Sequence, residues 1–557
     1  MSHELFDKHL EMFRKAMAAV ENRVFWSPYP ENPAAYGEGA VEEGMQAFEA
    51  YRDASFYLDQ PGVVGRAGSE VSPFGLPLNV SYPVCNSDAL LLAGRNAMST
   101  WVKAGPDVRV GVCLELLSRL KGHGMEIAFA AMHTTGQPFP LAFQFSFAHA
   151  LDRGLEATVC AYREMKQVPS STVWEKPQGG GKPPLRLEKR YTVLPRGVSL
   201  VVAGATSPTW NSFPAIFASL ATGNPVIVKP HSAAILPLAI TVAVARMTLK
   251  EAGFDPNLVS LLVDDETGSV AKIMALNPEM RIIDYTGHAG FGEWLEENAR
   301  HAAVFAQKAG LNVAVVDSTD DYRGLLRNLT LSLCLYSGQL AGTPRVILVS
   351  REGIRTPDGV VSSEQFGHDL SAAMSRLLED PERAGEILGA VQSDAILSAV
   401  EAMGDGLDVL REARSLSLSK WPEARVRTPL LLQLPASDVH LVAPEPFGPI
   451  AYVMEAATTA ESLAVAERLM VDHGALTFLV HATNSHVQDL AGEVSLRAGV
   501  PLSFNLTGNV LVNQPAAYSD FHGAGGANRA ADCSFVDSAF VTRRFCFIQT
   551  QHQRGVS

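Results

Sequence analysis

Long apolar runs are missing from this 557-residue chain. No stretch of about 18 consecutive apolar residues occurs, so no membrane-spanning helix and no membrane partner are expected. Positive charge is short as well: 45 Lys plus Arg stand against 59 Asp plus Glu, a formal charge of −14 with histidines neutral. Phosphate-backbone recognition needs a basic face, so no nucleic-acid partner is expected. The six cysteines (Cys85, Cys113, Cys160, Cys334, Cys533, Cys546) show no CxxC spacing and no accompanying histidine cluster. Neither a disulfide framework nor a metal site is expected, and a reducing cytoplasm is the default compartment. The opening MSHELFDKHLEMFRKAM lacks the apolar stretch and small-residue cleavage site of a signal peptide. Internal repeats and low-complexity tracts are absent too. What is present, 47% apolar and 19% charged residues, reads as a globular protein of about three to five structural units.

Between Val198 and Val316 short β-branched runs alternate with longer amphipathic ones, as in βαβ units of a buried parallel sheet. The expected strands are 198–204, 225–230, 259–265, 281–287 and 311–317, with helices over 211–222, 236–252, 268–276 and 292–302. The fold class is α/β, doubly wound. A second α/β pattern follows, with a helix over 322–336, a strand over 345–350, helices over 363–403 and a strand over 476–482. No Pro/Ser-rich linker separates the halves, so they are expected to pack closely around a cleft. Residues 167–194 place the Gly-rich tip Gly179-Gly180-Gly181 between two strand-like arms and read as a projecting hairpin.

Three Gly-rich spots resemble phosphate cradles. Gly179-Gly180-Gly181-Lys182 is followed by Pro and no helix, which excludes a P-loop reading, and Gly523-Ala524-Gly525-Gly526 follows no strand. Asp284 to Gly292 is different: it ends a strand and opens a helix, so free N–H groups and the positive helix end face whatever anion sits there.

That segment has company. Ser207-Pro208-Thr209-Trp210-Asn211-Ser212-Phe213-Pro214, Gly223-Asn224-Pro225-Val226-Ile227-Val228-Lys229-Pro230, Tyr285-Thr286-Gly287 with Gly292, and Glu445-Pro446-Phe447-Gly448-Pro449 resemble the motifs of the aldehyde dehydrogenase superfamily in order and spacing. Trp26-Ser27-Pro28-Tyr29-Pro30, Leu58-Asp59-Gln60-Pro61-Gly62, Ser337-Gly338-Gln339 and Ser519-Asp520-Phe521-His522-Gly523 resemble its phenylacetic acid degradation branch, of PaaN type. The resemblance covers essentially the whole chain. It implies a Rossmann-type cofactor domain (1–166 and 195–306), an α/β catalytic domain (307–525) and an oligomerisation arm (167–194 and 526–557), in a homodimer or homotetramer.

By the same resemblance, Asn211 donates its amide to the oxyanion of the reacting carbonyl. Ser207, Trp210, Thr286, Gly287 and Gly292 border the dinucleotide, with the glycines letting backbone approach the pyrophosphate. Lys229 holds the adenosine ribose, and Glu445 with Phe447 positions the nicotinamide end. NAD-preferring relatives carry an acid three places after the strand lysine; here that place is Ser232, which points to NADP over NAD. The implied substrates are small aldehydes, semialdehydes or their coenzyme A thioesters.

Two positions depart from the family. The nucleophilic cysteine belongs two residues after Ser337-Gly338-Gln339, where Ala341 stands, and a methyl group cannot attack a carbonyl. Cys334, seven residues earlier, lies on roughly the same face of a continued helix but about 10 Å away along its axis. The general base appears in relatives as Glu in E-K-A-G-x-N, and this chain reads Gln307-Lys308-Ala309-Gly310-Leu311-Asn312, whose amide takes no proton. Three expectations follow: an oxidoreductase with altered, non-covalent hydride chemistry; a non-catalytic pseudoenzyme or scaffold that keeps the fold and ligand; or an ordinary dehydrogenase whose thiol comes from elsewhere.

Overall fold

The computed structural model describes residues 2–264, 268, 270–442, 446–511, 517–518, 528–532, 534 and 537–553. Ahead of the first large sheet run α1 (Ser87–Gly122), kinked where Gly105 takes a φ of +80° before Pro106, and α2 (Ala150–Met165). Two strands, β1 (Ser171–Lys176) and β2 (Leu185–Pro195), then pair antiparallel around the Gly-rich tip.

Five parallel strands follow: β3 (Val198–Val202), β4 (Val226–Lys229), β5 (Val259–Leu261), β6 (Met280–Gly287) and β7 (Ala303–Lys308). Their spatial order is β5-β4-β3-β6-β7, the doubly wound arrangement in which ligands bind where the order reverses, here between β3 and β6. Every residue of β3, β4 and β5 is buried, as expected of a parallel sheet covered on both faces. Helices α3 (Pro208–Thr222), α4 (Leu236–Glu251) and α5 (Ala289–Asn298) connect the strands. Gly154 lets α2 lie close against α3: a Cβ there would stand 2.8 Å from the Phe217 ring. The exposed edge of β5 is closed by Gln60, whose amide donates to the Leu261 carbonyl (2.8 Å) and accepts from the Leu261 N–H (3.0 Å).

A second sheet is built from β8 (Val313–Val316), which α6 (Tyr322–Cys334) follows, and from β9 (Val346–Ser350), β10 (Asp408–Arg411), β11 (Leu430–Pro435), β12 (Ile450–Ala456), β13 (Phe478–His481) and β14 (Leu502–Phe504). Its order is β10-β11-β12-β9-β8-β13-β14, parallel except for β10 at the edge. The last strand, β15 (Phe545–Gln553), pairs antiparallel with β2. Just before it, the buried Arg544 donates to both carboxylate oxygens of Asp284 on β6 and lies 4.5 Å from the Phe305 ring, clamping the C-terminal arm to the first sheet.

The sequence reading needs correction in three places. The 311–317 run is β8, in the second sheet; the fifth strand of the first sheet is β7, ending in buried Gln307 and Lys308. Polar residues at that end hide the strand pattern. Helix α5 stops at Asn298 rather than 302. Helix α6 ends at Cys334, and Tyr336 (φ +54°) and Ser337 (φ +49°) turn the chain sharply, so Cys334 and position 341 do not share a helix face.

Candidate active site

A cavity of about 1370 Å³ runs from the C-terminal ends of β3, β4 and β6 to the loops of the second sheet. Of the sequence-predicted residues, Ser207, Trp210, Asn211, Lys229, Thr286, Gly287, Gln307, Ala341 and Phe447 line it. Glu445 lies outside the described residues, as do Ser519-Asp520-Phe521-His522-Gly523 and Cys533. Two predicted residues are off the wall. Ser232 is exposed beside the cavity lining formed by His231 and Ala233. Gly292 faces the stem of Lys308: a Cβ would stand 2.5 Å from Lys308 Cγ and Cδ. Its bare surface makes room for a side chain, and Lys308 runs on to pair with Glu296 at 2.8 Å.

Conditions for a dinucleotide are met at the switch point. The first turn of α3, begun by Pro208, faces the cavity through Ser207, Trp210 and Asn211, so free N–H groups and the positive helix end lie there. Across the crevice, Gly287 accepts no side chain, because a Cβ would lie 2.3 Å from the Tyr285 hydroxyl, and both residues line the cavity. Lys229, at the end of β4, is only 8% exposed and forms an ion pair with Asp264. It is therefore not a solvated strand end. Asp264 itself stands behind the wall, with Oδ1 buried and without a hydrogen-bond partner among the described residues.

Asn211, Gln307 and Ala341 all line this one cavity. The segment carrying Ala341 is held tightly. Ser337 Oγ donates to the Leu388 carbonyl (3.1 Å), and Gln339 bridges the Tyr336 and Ala390 carbonyls (3.1 Å each) while accepting from the Gln392 N–H (2.9 Å). Arg345 donates to the carbonyls of Gly338 and Gly448. No carboxylate among the described residues pairs with this guanidinium, and burial lowers its pKa to about 9. Ala341 itself is exposed. Gln307 is 4% exposed, and its Oε1 has no partner among the described residues.

No cysteine among the described residues lines the cavity. Cys334 is fully buried among Leu329, Leu333 and Phe366, and burial pushes its thiol up to about 12. A protonated thiol in a core is no nucleophile. No three His, Cys, Asp or Glu side chains among the described residues stand together as a metal site would require, and no helix among them is long and apolar enough to cross a membrane.

The remaining end of the cavity was not legible in the sequence. Residues 142–149 form a π-helical turn, a wide winding frequent at functional sites. It places Gln144, Phe145 and His149 on the cavity wall with Pro140 and Leu141. Phe145 stacks on Trp210 with centroids 5.0 Å apart, and the Arg153 guanidinium lies 5.0 Å from the same indole. His149 Nε2 meets Glu31 Oε1 at 2.8 Å. Ser27, from the Trp-Ser-Pro-Tyr-Pro segment, donates to Asp152, whose carboxyl is raised well above the usual range by burial. That segment thus braces α2 behind the wall.

The sequence model of the aldehyde dehydrogenase family matches residues 86–494. A solved NAD-dependent aldehyde dehydrogenase from Burkholderia multivorans is 46% identical, covers 100% of both chains and superposes with a TM-score of 0.97. The 1-pyrroline-5-carboxylate dehydrogenase of Bacillus licheniformis is 22% identical over 449 residues, 77% of this chain and 80% of its own. A Thermus 1-pyrroline-5-carboxylate dehydrogenase with bound NAD shares the fold, with a TM-score of 0.72 at 17% identity over 95% of this chain and 99% of its own. An NAD(P) cofactor fits both these relatives and the crevice at the β3–β6 switch point. With the sequence match spanning most of its length and the sheets wound in the matching order, this chain belongs to the aldehyde dehydrogenase family of oxidoreductases.

Proposed function

We propose that this chain is an NAD(P)-binding oxidoreductase of the phenylacetate-degradation branch that moves a hydride without a covalent enzyme intermediate. The observation that carries the reading is the joint presence of Ala341 and Gln307 at the cavity wall, with Cys334 sealed in a core. The dinucleotide, when bound, accepts or supplies the hydride. Asn211 donates an N–H to the substrate oxygen and stabilises charge developing there. An oxidised nicotinamide, if bound, would supply the acceptor for the hydride of an alcohol or hydrated aldehyde. The hydroxyl proton leaves to water, because the Gln307 amide cannot accept it. The stacked Phe145 and Trp210, with Pro140 and Leu141, suit a substrate with an apolar, ring-bearing body, as an aldehyde, semialdehyde or coenzyme A thioester.

Lys229 holds the adenosine ribose, Ser207, Thr286 and Gly287 border the pyrophosphate, and Glu445 with Phe447 orients the nicotinamide end. The hairpin and β15 serve a homodimer or homotetramer, and the compartment is the cytoplasm. A second reading, a ligand-binding pseudoenzyme, is favoured by the same two substitutions.

The test is restoration. Ala341→Cys with Gln307→Glu is expected to gain aldehyde oxidation, exceeding Ala341→Cys alone by about 100-fold, the usual worth of a placed base. Wild-type turnover on an alcohol or aldehyde, with the dinucleotide reduced or oxidised in step, supports the hydride reading. Dinucleotide binding without turnover on any of the three substrate classes leaves the pseudoenzyme reading.

A further inference from the structure

We infer that Glu31 and His149 form the specificity element for the substrate, and that the pair takes a ring-borne hydroxyl and turns away a ring-borne carboxylate. The inference deepens the proposed function and rests on its placement of the substrate oxygen at Asn211. Asn211, Trp210, Phe145, His149 and Glu31 all line the cavity, and their contacts give the wall a direction. Asn211 follows Trp210 in the first turn of α3. The Trp210 indole stacks on Phe145, with centroids 5.0 Å apart and ring planes 9° from parallel. His149 lies about one turn beyond Phe145 on the π-helical winding, and its Nε2 meets Glu31 Oε1 at 2.8 Å. A substrate whose carbonyl meets Asn211 and whose ring lies along the two aromatic side chains therefore carries its remaining substituents towards the polar pair. The winding is fixed to the start of α3. Ser146 Oγ donates to Gln137 Oε1 (2.9 Å), Gln137 Nε2 to the Thr206 carbonyl (2.7 Å), and Thr209 Oγ1 to the Ser146 carbonyl (2.6 Å). The pair is thus held in place before a ligand arrives.

The carboxylate decides what is accepted. His149 is 7% exposed, whereas the Glu31 side chain is 51% exposed, so the imidazole backs the carboxylate and the carboxylate meets the ligand. The hydrogen bond with His149 holds the Glu31 carboxyl below its usual range. It is therefore ionised at neutral pH, and an ionised carboxylate accepts without donating. A phenolic hydroxyl is a donor and makes a charge-assisted hydrogen bond with it. A carboxylate on the same ring offers no proton and sets like charge against like. The neighbouring cation gives such a carboxylate no contact. Arg153 is 3% exposed and stands off the cavity wall, its guanidinium 3.3 Å from Glu156 Oε2 and 5.0 Å from the Trp210 ring.

The experiment is equilibrium titration of the full-length protein, with NAD+ present, by calorimetry or tryptophan fluorescence. The probes are unreactive carboxamide analogues of aromatic aldehydes: benzamide, 3- and 4-hydroxybenzamide, and 4-carbamoylbenzoate. Wild type is expected to bind one of the hydroxybenzamides about tenfold more tightly than benzamide, as a hydrogen bond to a charged group implies, and 4-carbamoylbenzoate more weakly than benzamide. Glu31→Gln keeps the size of the side chain and removes its charge. It is expected to lose most of the hydroxyl advantage and to gain affinity for 4-carbamoylbenzoate, a gain that mere damage to the wall would not produce. Benzamide itself should bind Glu31→Gln as it binds wild type, and should bind Asn211→Ala about tenfold more weakly. No hydroxyl advantage in wild type, tighter binding of 4-carbamoylbenzoate than of benzamide, or an unchanged order of affinities in Glu31→Gln overturns the inference while leaving the ring-bearing substrate standing. Failure of all four probes to bind wild type, or equal benzamide binding by wild type and Asn211→Ala, overturns the inference together with the substrate placement beneath it.

Discussion

The side-chain amide of Asn312 donates to the backbone carbonyl of Ala341 at 2.7 Å. Asn312 follows directly on the Gln307–Leu311 run, so one buried residue links the two segments that depart from the family. It also donates to Thr343 O (3.1 Å) and accepts from the N–H groups of Leu476 (2.9 Å) and Thr477 (3.1 Å). Position 341 therefore sits on a rigid mount. Asn312→Ala takes a partner from four backbone groups, three of these hydrogen bonds being buried. We expect it to destabilise the fold by about 3 kcal/mol or more and to loosen the 339–343 loop. Denaturant unfolding and amide hydrogen exchange check this; unchanged exchange in that loop contradicts it.

A second prediction concerns the arm. Arg544 and Asp284 are both buried, and Arg544 Nη1 stands 2.9 Å from Asp284 Oδ2. Arg544→Met strands a buried carboxylate on β6 and is expected to cost about 4 kcal/mol. Asp284→Asn in the same background should restore part of that loss, as a double-mutant cycle in urea would measure.

The pH dependence of stability follows from Glu70. Its Oε1 accepts from the backbone N–H groups of Ile235 and Leu236, just ahead of α4, and the Tyr82 hydroxyl donates to Oε2. Burial outweighs these bonds and raises the carboxyl to about 7, from an ordinary 4.5. Between those values the folded protein holds a proton that the unfolded chain has released. Glu70's contribution is thus complete below pH 4.5 and falls as pH rises to 7. The unfolding free energy of wild type relative to Glu70→Gln should drop by about 3 kcal/mol across that window and stay level above it. A flat difference contradicts the assignment.

Much of the cofactor half was legible because its strands are β-branched runs closed by Gly, Pro or Asn: 198–202, 226–229 and 281–287 need little more than alternation of pattern to be found. Strand β7 was missed because its last residues, Gln307 and Lys308, are polar and buried, so function overwrote the pattern there. Ser232 lies off the cavity wall, because an offset counted along the chain does not say which way a loop turns. The ion pair of Asp264 with Lys229 was invisible for a related reason: the two are 35 positions apart and joined only by adjacent strands. The Phe145–His149 turn follows the alternation Phe143-Gln144-Phe145-Ser146-Phe147, a period of two that hides a helical winding. Its link to Glu31 spans 118 residues.

Cys334 supplies a further prediction. A core thiol raised to about 12 takes no part in chemistry. Cys334→Ala should leave dinucleotide affinity and any turnover unchanged while costing about 1 kcal/mol of stability. A fall in kcat without a fall in stability contradicts this.

The central claim is that the dinucleotide grip persists where the sulfur nucleophile has gone. Peptide mapping of iodoacetamide labelling tests it most directly, on wild type saturated with dinucleotide, with and without an aromatic aldehyde. The account predicts that every cysteine, Cys533 included, alkylates equally in both samples while the dinucleotide stays bound. One cysteine protected by the aldehyde would contradict it.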